Sequence, residues 1–202
     1  MSSTPPPAPG RVVLVRHGQT AWSRDGRHTG KTDVPLTEEG ERQAAAQATH
    51  LDELTFGLVA TSPRRRARHT ADLAGLVAPP VAERLVWDDL AEWDYGDYEG
   101  ITTATIRETV PGWTVWDAPV PGGETVEQVG ARADAVLARL RPWLERGDVA
   151  LVGHGHMLRV LIARWLGLPP RAGARFVLGA GTLSVLGHEH ESPVIELLGL
   201  PG

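Results

Sequence analysis

Val12-Val13-Leu14-Val15-Arg16-His17-Gly18-Gln19-Thr20 is the stretch on which the reading of this chain turns. Four apolar, mostly β-branched residues run straight into Arg-His-Gly. That pattern predicts a buried parallel strand that stops where chemistry can start. In open α/β sheets ligands sit beyond the carboxyl ends of the strands, which places Arg16 and His17 where a site belongs. Gly18 lets the backbone approach a ligand closely, and a following helix would add the anion attraction of its free N–H groups. Taken alone, the stretch equally describes a strand end with an incidental basic pair.

Further along, the same arrangement recurs. Trp22 to Pro35 reads as a polar, Gly-containing loop. Thr37 reads as the N-cap of a helix running to about Leu54, with Glu38 and Glu39 complementing its dipole. Leu58-Val59-Ala60-Thr61 reads as a strand, followed by Ser62 as N-cap and Pro63 as first helical residue of a segment carrying Arg64, Arg65, Arg66 and Arg68. Arg84 to Trp87 reads as a third strand, followed by a loop containing Tyr95 to Gly100 and a short helix near Thr103 to Glu108. After a turn at Pro119 to Gly123, Thr125 to Gln128 fits a capping box opening a helix to about Glu145. Val149 to Val152 is a fourth strand, ending in Gly153-His154-Gly155-His156 before a helix to about Leu166. Thr182 to Leu186 and Val194 to Leu198 complete the set of strands. Alternating strands and helices without a repeat predict a three-layer α/β/α sandwich with a mainly parallel sheet.

Composition sets the bounds. The chain has 202 residues, of which 42% are hydrophobic, enough for one domain with a real core over residues 11–202. Residues 1–10 are small, Pro-rich and uncharged, and read as a disordered tail rather than a signal peptide. A net charge of −5 argues against nucleic acid or an anionic membrane as the main partner. No cysteine is present, which excludes disulfides and thiolate chemistry and suits the cytoplasm. No apolar run approaches the roughly 18–20 residues that span a bilayer.

Three strand ends thus deliver Arg16 with His17, Ser62 with an Arg cluster, and His154, while the loop after the third strand delivers Glu92. Two histidines, at least two arginines and one carboxylate suit phosphoryl transfer through a phosphohistidine. Arginine forks and helix N-termini fit phosphate oxygens, and imidazole is a neutral nucleophile near physiological pH. On the residues alone, Asp94, Asp97 and Glu99 are alternatives to Glu92, since all share its loop.

Val15-Arg16-His17-Gly18-Gln19-Thr20 resembles the Arg-His-Gly motif of the histidine phosphatase superfamily, the phosphoglycerate-mutase-like fold. The resemblance continues through Thr29-Gly30, Pro35-Leu36-Thr37, Ser62-Pro63 with Arg66-Ala67, Glu92 with Tyr95-Gly96, Gly123-Glu124-Thr125 and Val152-Gly153-His154-Gly155. It covers Val12 to about Leu198. Within the superfamily it is nearest to small actinobacterial acid phosphatases, and Ala91 to Gly100 with the Gly155-His156 step also resembles fungal sedoheptulose-bisphosphatases.

The resemblance implies a role for each matching position. His17 takes the phosphoryl group; Arg16, Arg66 and His154 hold its oxygens; Glu92 protonates the leaving oxygen and then activates water. Gln19, Thr20, Ser23, Thr29, Gly30, Tyr95 and Gly155 line the phosphate and substrate mouth, and Ser62 frames the pocket and caps its helix. No metal and no cofactor are implied, and the partner is a small phosphorylated metabolite. His156 reads either as a mouth residue or as a supporting one. His188 and His190 read as a turn, and His28, His50 and His69 as surface or loop residues. Trp22, Trp93, Trp113 and Trp116 are placed in loops that can roof the pocket or simply pack, and Trp143 and Trp165 on helix core faces.

Hydrolase is expected over mutase. Thr102-Thr103 stands where mutases of the family carry a lysine, and Gly112 to Val120 contains neither Arg nor Lys. A mutase must clamp its intermediate with fixed cations while it reorients. A phosphoglycerate mutase and a sugar-bisphosphate-specific phosphatase remain the alternatives. Activity is expected to peak on the acidic side. Assembly is left open, with the C-terminal strand as an edge for a homodimer.

Overall fold

The computed structural model describes residues 10–77 and 83–202, so the expected tail, residues 1–10, lies outside it except for Gly10. Strand β1 (Val12–Arg16) carries its apolar side chains at 1% exposure or less, because it is covered on both edges and both faces. It pairs parallel with β4 (Asp148–Gly153) and antiparallel with β5 (Thr182–Glu189). Beyond β4 lie β2 (Phe56–Thr61) and β3 (Arg84–Val86), and beyond β5 the edge strand β6 (Ser192–Pro201). The sheet order is β3-β2-β4-β1-β5-β6, and β5 alone runs against the others. The sheet is therefore mixed and mainly parallel, as expected.

Strand alternation sorts the core into two faces. Val12, Leu14, Leu58, Ala60, Val149 and Leu151 face one cluster with α6 (Val126–Leu144) and α7 (Gly155–Trp165). Val13, Val15, Val59, Ala150 and Val152 face the other with α4 (Arg65–Leu73), whose Ala67 and Ala71 let it sit close to the sheet. The result is three layers. Truncating a fully buried central residue such as Leu151 to Ala is expected to cost about 2–5 kcal/mol.

Some local expectations are corrected. Residues 22–24, expected as the start of a loop, belong to the short helix α1 (Ala21–Arg24), opened by a capping box between Thr20 and Ser23. Ser at the third position of that box, instead of Glu or Gln, hid it in the sequence. The helix expected from Thr37 to Leu54 divides into α2 (Glu38–Ala46) and α3 (Ala48–Leu51). At the junction the Gln47 N–H turns to Ala44 O at 3.3 Å, and the buried Gln47 side chain donates to Gly181 O. Ser62 does not cap α4: Arg64 holds the N-cap position without a side-chain bond. The Ser62 hydroxyl instead accepts from Arg64 N at 3.2 Å and meets His154. The segment near Thr103 is α5 (Thr103–Thr109), capped by Thr102. The last two strands extend further than expected and meet in a hairpin where His190 has φ +53°.

Candidate active site

The register of the parallel strands assembles the site. Arg16 pairs with Gly153, and Thr61 with Val152, so β1, β2 and β4 end at one level. Pairing continues one residue further: His17 N donates to Gly153 O at 3.0 Å and Ser62 N to Val152 O at 2.9 Å. The β1-to-β2 connection carries α3 on the face of Val13 and Val15, and the β4-to-β5 connection carries α7 on the face of Val12 and Leu14, so the loops leave β1 and β4 toward opposite faces of the sheet.

His17 is 4% exposed, and its Nδ1 lies 2.7 Å from Gly18 O. A carbonyl only accepts, so Nδ1 carries the proton and Nε2 keeps its lone pair. Burial, then the charges of Arg66 and Arg16, push His17 well below the usual imidazole range. The ring is thus neutral, and its own backbone leaves Nε2 as the nitrogen with a free lone pair.

His154 packs edge-on against it, ring centroids 5.1 Å apart. Arg66 Nε donates to His154 Nδ1 at 3.2 Å, and His154 Nε2 lies 2.7 Å from Ser62 Oγ. Because a guanidinium nitrogen can only donate, Nδ1 of His154 is unprotonated and Nε2–H faces Ser62. Burial first, then Arg66, push His154 well below its ordinary value. The remaining arms of Arg66 donate to Thr32 O at 2.8 Å, Thr29 O at 2.9 Å and Gly30 O at 3.1 Å. Arg66 and His154 are both at 0% exposure, behind His17 rather than on the cavity wall.

A cavity of about 360 Å³ opens in front of His17, with Arg16, Glu92 and Gly155 around its inner end. Arg16 donates through Nη1 to Leu178 O, and its Nε has no partner among the described residues. A Cβ on Gly155 would come within 3.2 Å of the Arg16 Cζ, so glycine there lets the guanidinium lie against the start of α7. Glu92 sits over that same helix start. Its Oε1 accepts from Trp93 N and Met157 N, both at 2.9 Å, and its Oε2 from His156 N at 3.1 Å. His154 gives α7 no side-chain cap, and the Glu92 carboxylate takes that place. Of the four acidic residues in this loop, Glu92 alone lines the cavity. Asp94 pairs with Lys31 at 2.6 Å, and Glu99 is bound to Gly30 and Thr32.

Arg132 on α6 holds the Glu92 loop from behind. It donates to Asp89 O and Ala91 O, both at 2.8 Å, while paired with Glu124 at 2.7 Å.

Ser23, Thr29 and Tyr95 line the cavity, as the resemblance implies. Gln19, Thr20 and Gly30 do not. Gln19 Oε1 accepts from Thr37 Oγ1 at 3.0 Å, and Thr20 is the buried cap of α1. His28, expected as a surface or loop residue, lies in a loop but is 9% exposed and lines the cavity, its Nε2 3.2 Å from Thr103 Oγ1. His156 also lines it, its Nδ1 2.5 Å from Tyr95 Oη. Burial, then Glu92, hold the Tyr95 phenol well above its ordinary value, so it donates to a His156 that burial and Arg159 keep neutral. Trp93, Trp113 and Trp116 do not roof the cavity; they pack behind His28 and His156. Its apolar wall is Val177 with Leu178.

Arg27 and Arg159 also line the cavity and were missed in the sequence. A signal for Arg159 was present: it follows Gly155 by four residues on one helix, so both share a face. Among the described residues, no group of three His, Asp or Glu is arranged to hold a metal ion. Among them too, no helix is long and apolar enough to cross a membrane.

Comparison with known proteins agrees with this geometry. The family model of the histidine phosphatase superfamily (branch 1) matches residues 12–201. The chain is 45% identical over 194 residues to an acid phosphatase of Mycobacterium tuberculosis, covering 95% of this chain and 93% of that protein. It is 37% identical over 189 residues to a sedoheptulose 1,7-bisphosphatase of Saccharomyces cerevisiae, covering 78% and 68%. A solved structure of an open reading frame product from Mycobacterium tuberculosis superposes with a TM-score of 0.88 at 44% identity, covering 95% and 98%. With its Arg-His-Gly strand end, paired histidines and mixed sheet, the chain belongs to the histidine phosphatase superfamily.

Proposed function

We propose that this chain is a metal-independent phosphoric monoester hydrolase of acid-phosphatase type, acting on small phosphorylated metabolites through a phosphohistidine on His17. The observation that carries the reading is the His17 tautomer: Nδ1–H bound to Gly18 O at 2.7 Å leaves Nε2 free at the end of a cationic cavity. In the first step Nε2 forms the N–P bond as the ester P–O bond breaks, and protonated Glu92 gives its proton to the leaving oxygen. In the second, the Glu92 carboxylate takes a proton from water, whose oxygen displaces His17 and releases inorganic phosphate. Arg16 faces the phosphoryl oxygens, while Arg66 supplies positive potential from behind His17 and holds the neutral His154 ring in place beside it.

Hydrolysis is favoured over mutase activity by Thr103, which lines the cavity and bonds to His28 where a mutase of this family would present a lysine. Phosphate release from a panel containing a chromogenic ester, 3-phosphoglycerate, sugar phosphates and a sugar bisphosphate tests this. Release by wild type and none by His17→Ala is expected; isomerisation of 3-phosphoglycerate without free phosphate would overturn it.

One observation favours a second reading, a sugar-bisphosphate phosphatase. Arg27 and Arg159 line the cavity with no carboxylate partner among the described residues, which suits a substrate with a second anionic group. A sugar bisphosphate turning over well above its monophosphate in the same panel would select it. Cytoplasmic placement rests on the absence of cysteine, and a substrate other than nucleic acid on the net charge of −5. For assembly, β6 offers an unpaired edge through which two copies would join, a homodimer that sedimentation would detect.

A further inference from the structure

The loop 29–32 hangs between two opposite charges. From one side Arg66 reads its carbonyls, at Thr29, Gly30 and Thr32. From the other the Glu99 carboxylate takes its N–H groups. Gly30 N lies 2.9 Å from Oε1 and 3.0 Å from Oε2, and Thr32 N lies 3.0 Å from Oε1. The fit is tight: a Cβ at position 30 would stand 2.8 Å from Glu99 Oε2 and 2.5 Å from Trp93 O. Glycine at this position is what admits the carboxylate. The flanking segments are clipped together as well, with Gly100 N on His28 O at 2.8 Å and His28 N on Ile101 O at 3.0 Å.

We infer that Glu99 is a positioning residue for phosphoryl transfer, acting through the loop 29–32 and Arg66 on His154. Glu99 does not line the cavity and touches no reacting atom. By holding the N–H sides of the Gly30 and Thr32 peptides, it turns the loop's carbonyls toward the guanidinium. Those carbonyls set where Arg66 lies, and Arg66 Nε sets the His154 tautomer across 3.2 Å. A side-chain amide cannot do the same. It offers one oxygen, and its NH₂ would confront a backbone N–H. The inference rests on His17 being the nucleophile with His154 beside it.

The test compares wild type, Glu99→Gln, Glu99→Ala and His17→Ala as full chains. Asp97→Asn, an exposed neighbour in the same loop, is the control. The readouts are kcat and KM on p-nitrophenyl phosphate, the thermal midpoint, and side-chain ¹⁵N resonances of His154. Glu99→Gln is expected to lower kcat by about tenfold to a hundredfold, as a small misplacement remote from the chemistry does, with KM changed far less. The fixed Nε2–H signature of His154 should be lost along with it, and Asp97→Asn should match wild type. Wild-type kcat in Glu99→Gln, with His17→Ala inactive, overturns the inference alone. So does a kcat loss that leaves the His154 tautomer intact and follows the thermal midpoint. Activity surviving in His17→Ala overturns the phosphohistidine reading and the inference with it.

Discussion

Arg66 Nε donates to Nδ1 of His154 across 3.2 Å, in a region where both side chains are wholly buried. The contact ties the direction of the buried imidazole beside His17 to an arginine whose other arms are spent on three backbone carbonyls. Lysine cannot reproduce that fork. Arg66→Lys should therefore fold and still lower kcat/KM by about a hundredfold or more, the scale of losing one oriented electrostatic donor. Phosphate release, with circular dichroism to establish folding, checks it.

The leaving group separates the two jobs assigned to Glu92. Glu92→Gln keeps one acceptor oxygen for Trp93 N and Met157 N, gives up the bond from His156 N, and has no proton to give or take. Alkyl phosphates should lose about 10²–10⁴ in rate, the usual range for general acid catalysis. p-Nitrophenyl phosphate, whose leaving group needs no proton, should still phosphorylate His17, so that a burst of nitrophenol precedes a slow steady state. Acid-labile, base-stable ³²P or intact-mass labelling of the variant would show the trapped phosphohistidine. Equal losses on both substrates would remove Glu92 from the role.

The acid limb of the activity profile reports His17. Burial and two arginines hold its pKa well below 6.5, so the ring stays neutral as the medium turns acidic. A profile of kcat/KM between pH 4 and 8, about the range buffers cover without unfolding most domains, should show no fall centred near 6.5. A limb at the ordinary imidazole value would mean that His17 is not the group titrating in the free enzyme.

Stability should fall in acid for the same reason. His17, His154, His156 and His28 are all pushed below 6.5, chiefly by burial. Above pH 6.5 neither state protonates them. Below it the unfolded chain binds protons that the folded chain refuses, so folding free energy is lost as pH drops toward the folded values. Each wholly buried ring contributes a slope of up to about 1.4 kcal/mol per pH unit over that window. Urea unfolding at pH 7.5 and about pH 5, comparing wild type with His156→Gln, should show the variant losing less of its stability. An equal loss would place the acid sensitivity elsewhere.

Behind the Glu92 loop, Arg132 links α6 to the carbonyls of Asp89 and Ala91 while paired with a Glu124 that is itself only 20% exposed. Removing one member of such a pair strands the other charge. Arg132→Ala should cost about 3–5 kcal/mol. The double replacement Arg132→Met with Glu124→Gln should recover part of that in a chemical unfolding series.

Much of this protein was readable along the chain. Val12 to Val15 ending in Arg-His-Gly is a local pattern, and local pattern is what decides strand, helix and cap. The order of strand ends carrying Arg16-His17, Ser62 and His154 was legible for that reason, and the spacing of motifs placed the chain in its family. Most of what escaped depended on partners distant in sequence, the capping box of Thr20 with Ser23 being a local exception. Thr20 and Gln19 read as mouth residues because they adjoin His17, but one turns inward to cap α1 and the other to Thr37. His28 read as a surface or loop residue because nothing near it in the chain buries it; Tyr95 and Trp113, far along, do. Ser62 read as a helix cap, and the approach of β4 gave its hydroxyl to His154 instead.

The sequence by itself determined the elements, the layering and the set of chemically able side chains, since these follow from periodicity and residue type. Only the tertiary structure decided which nitrogen of each histidine is free, which carboxylate of four faces the cavity, and what Glu99 holds. Apart from the bond of His17 Nδ1 to its neighbour Gly18 O, those are matters of single hydrogen bonds between segments some 30 to 90 residues apart, such as Gly30 with Glu99 and Arg66 with His154. Their direction is set by strand register and loop path, which no local pattern encodes.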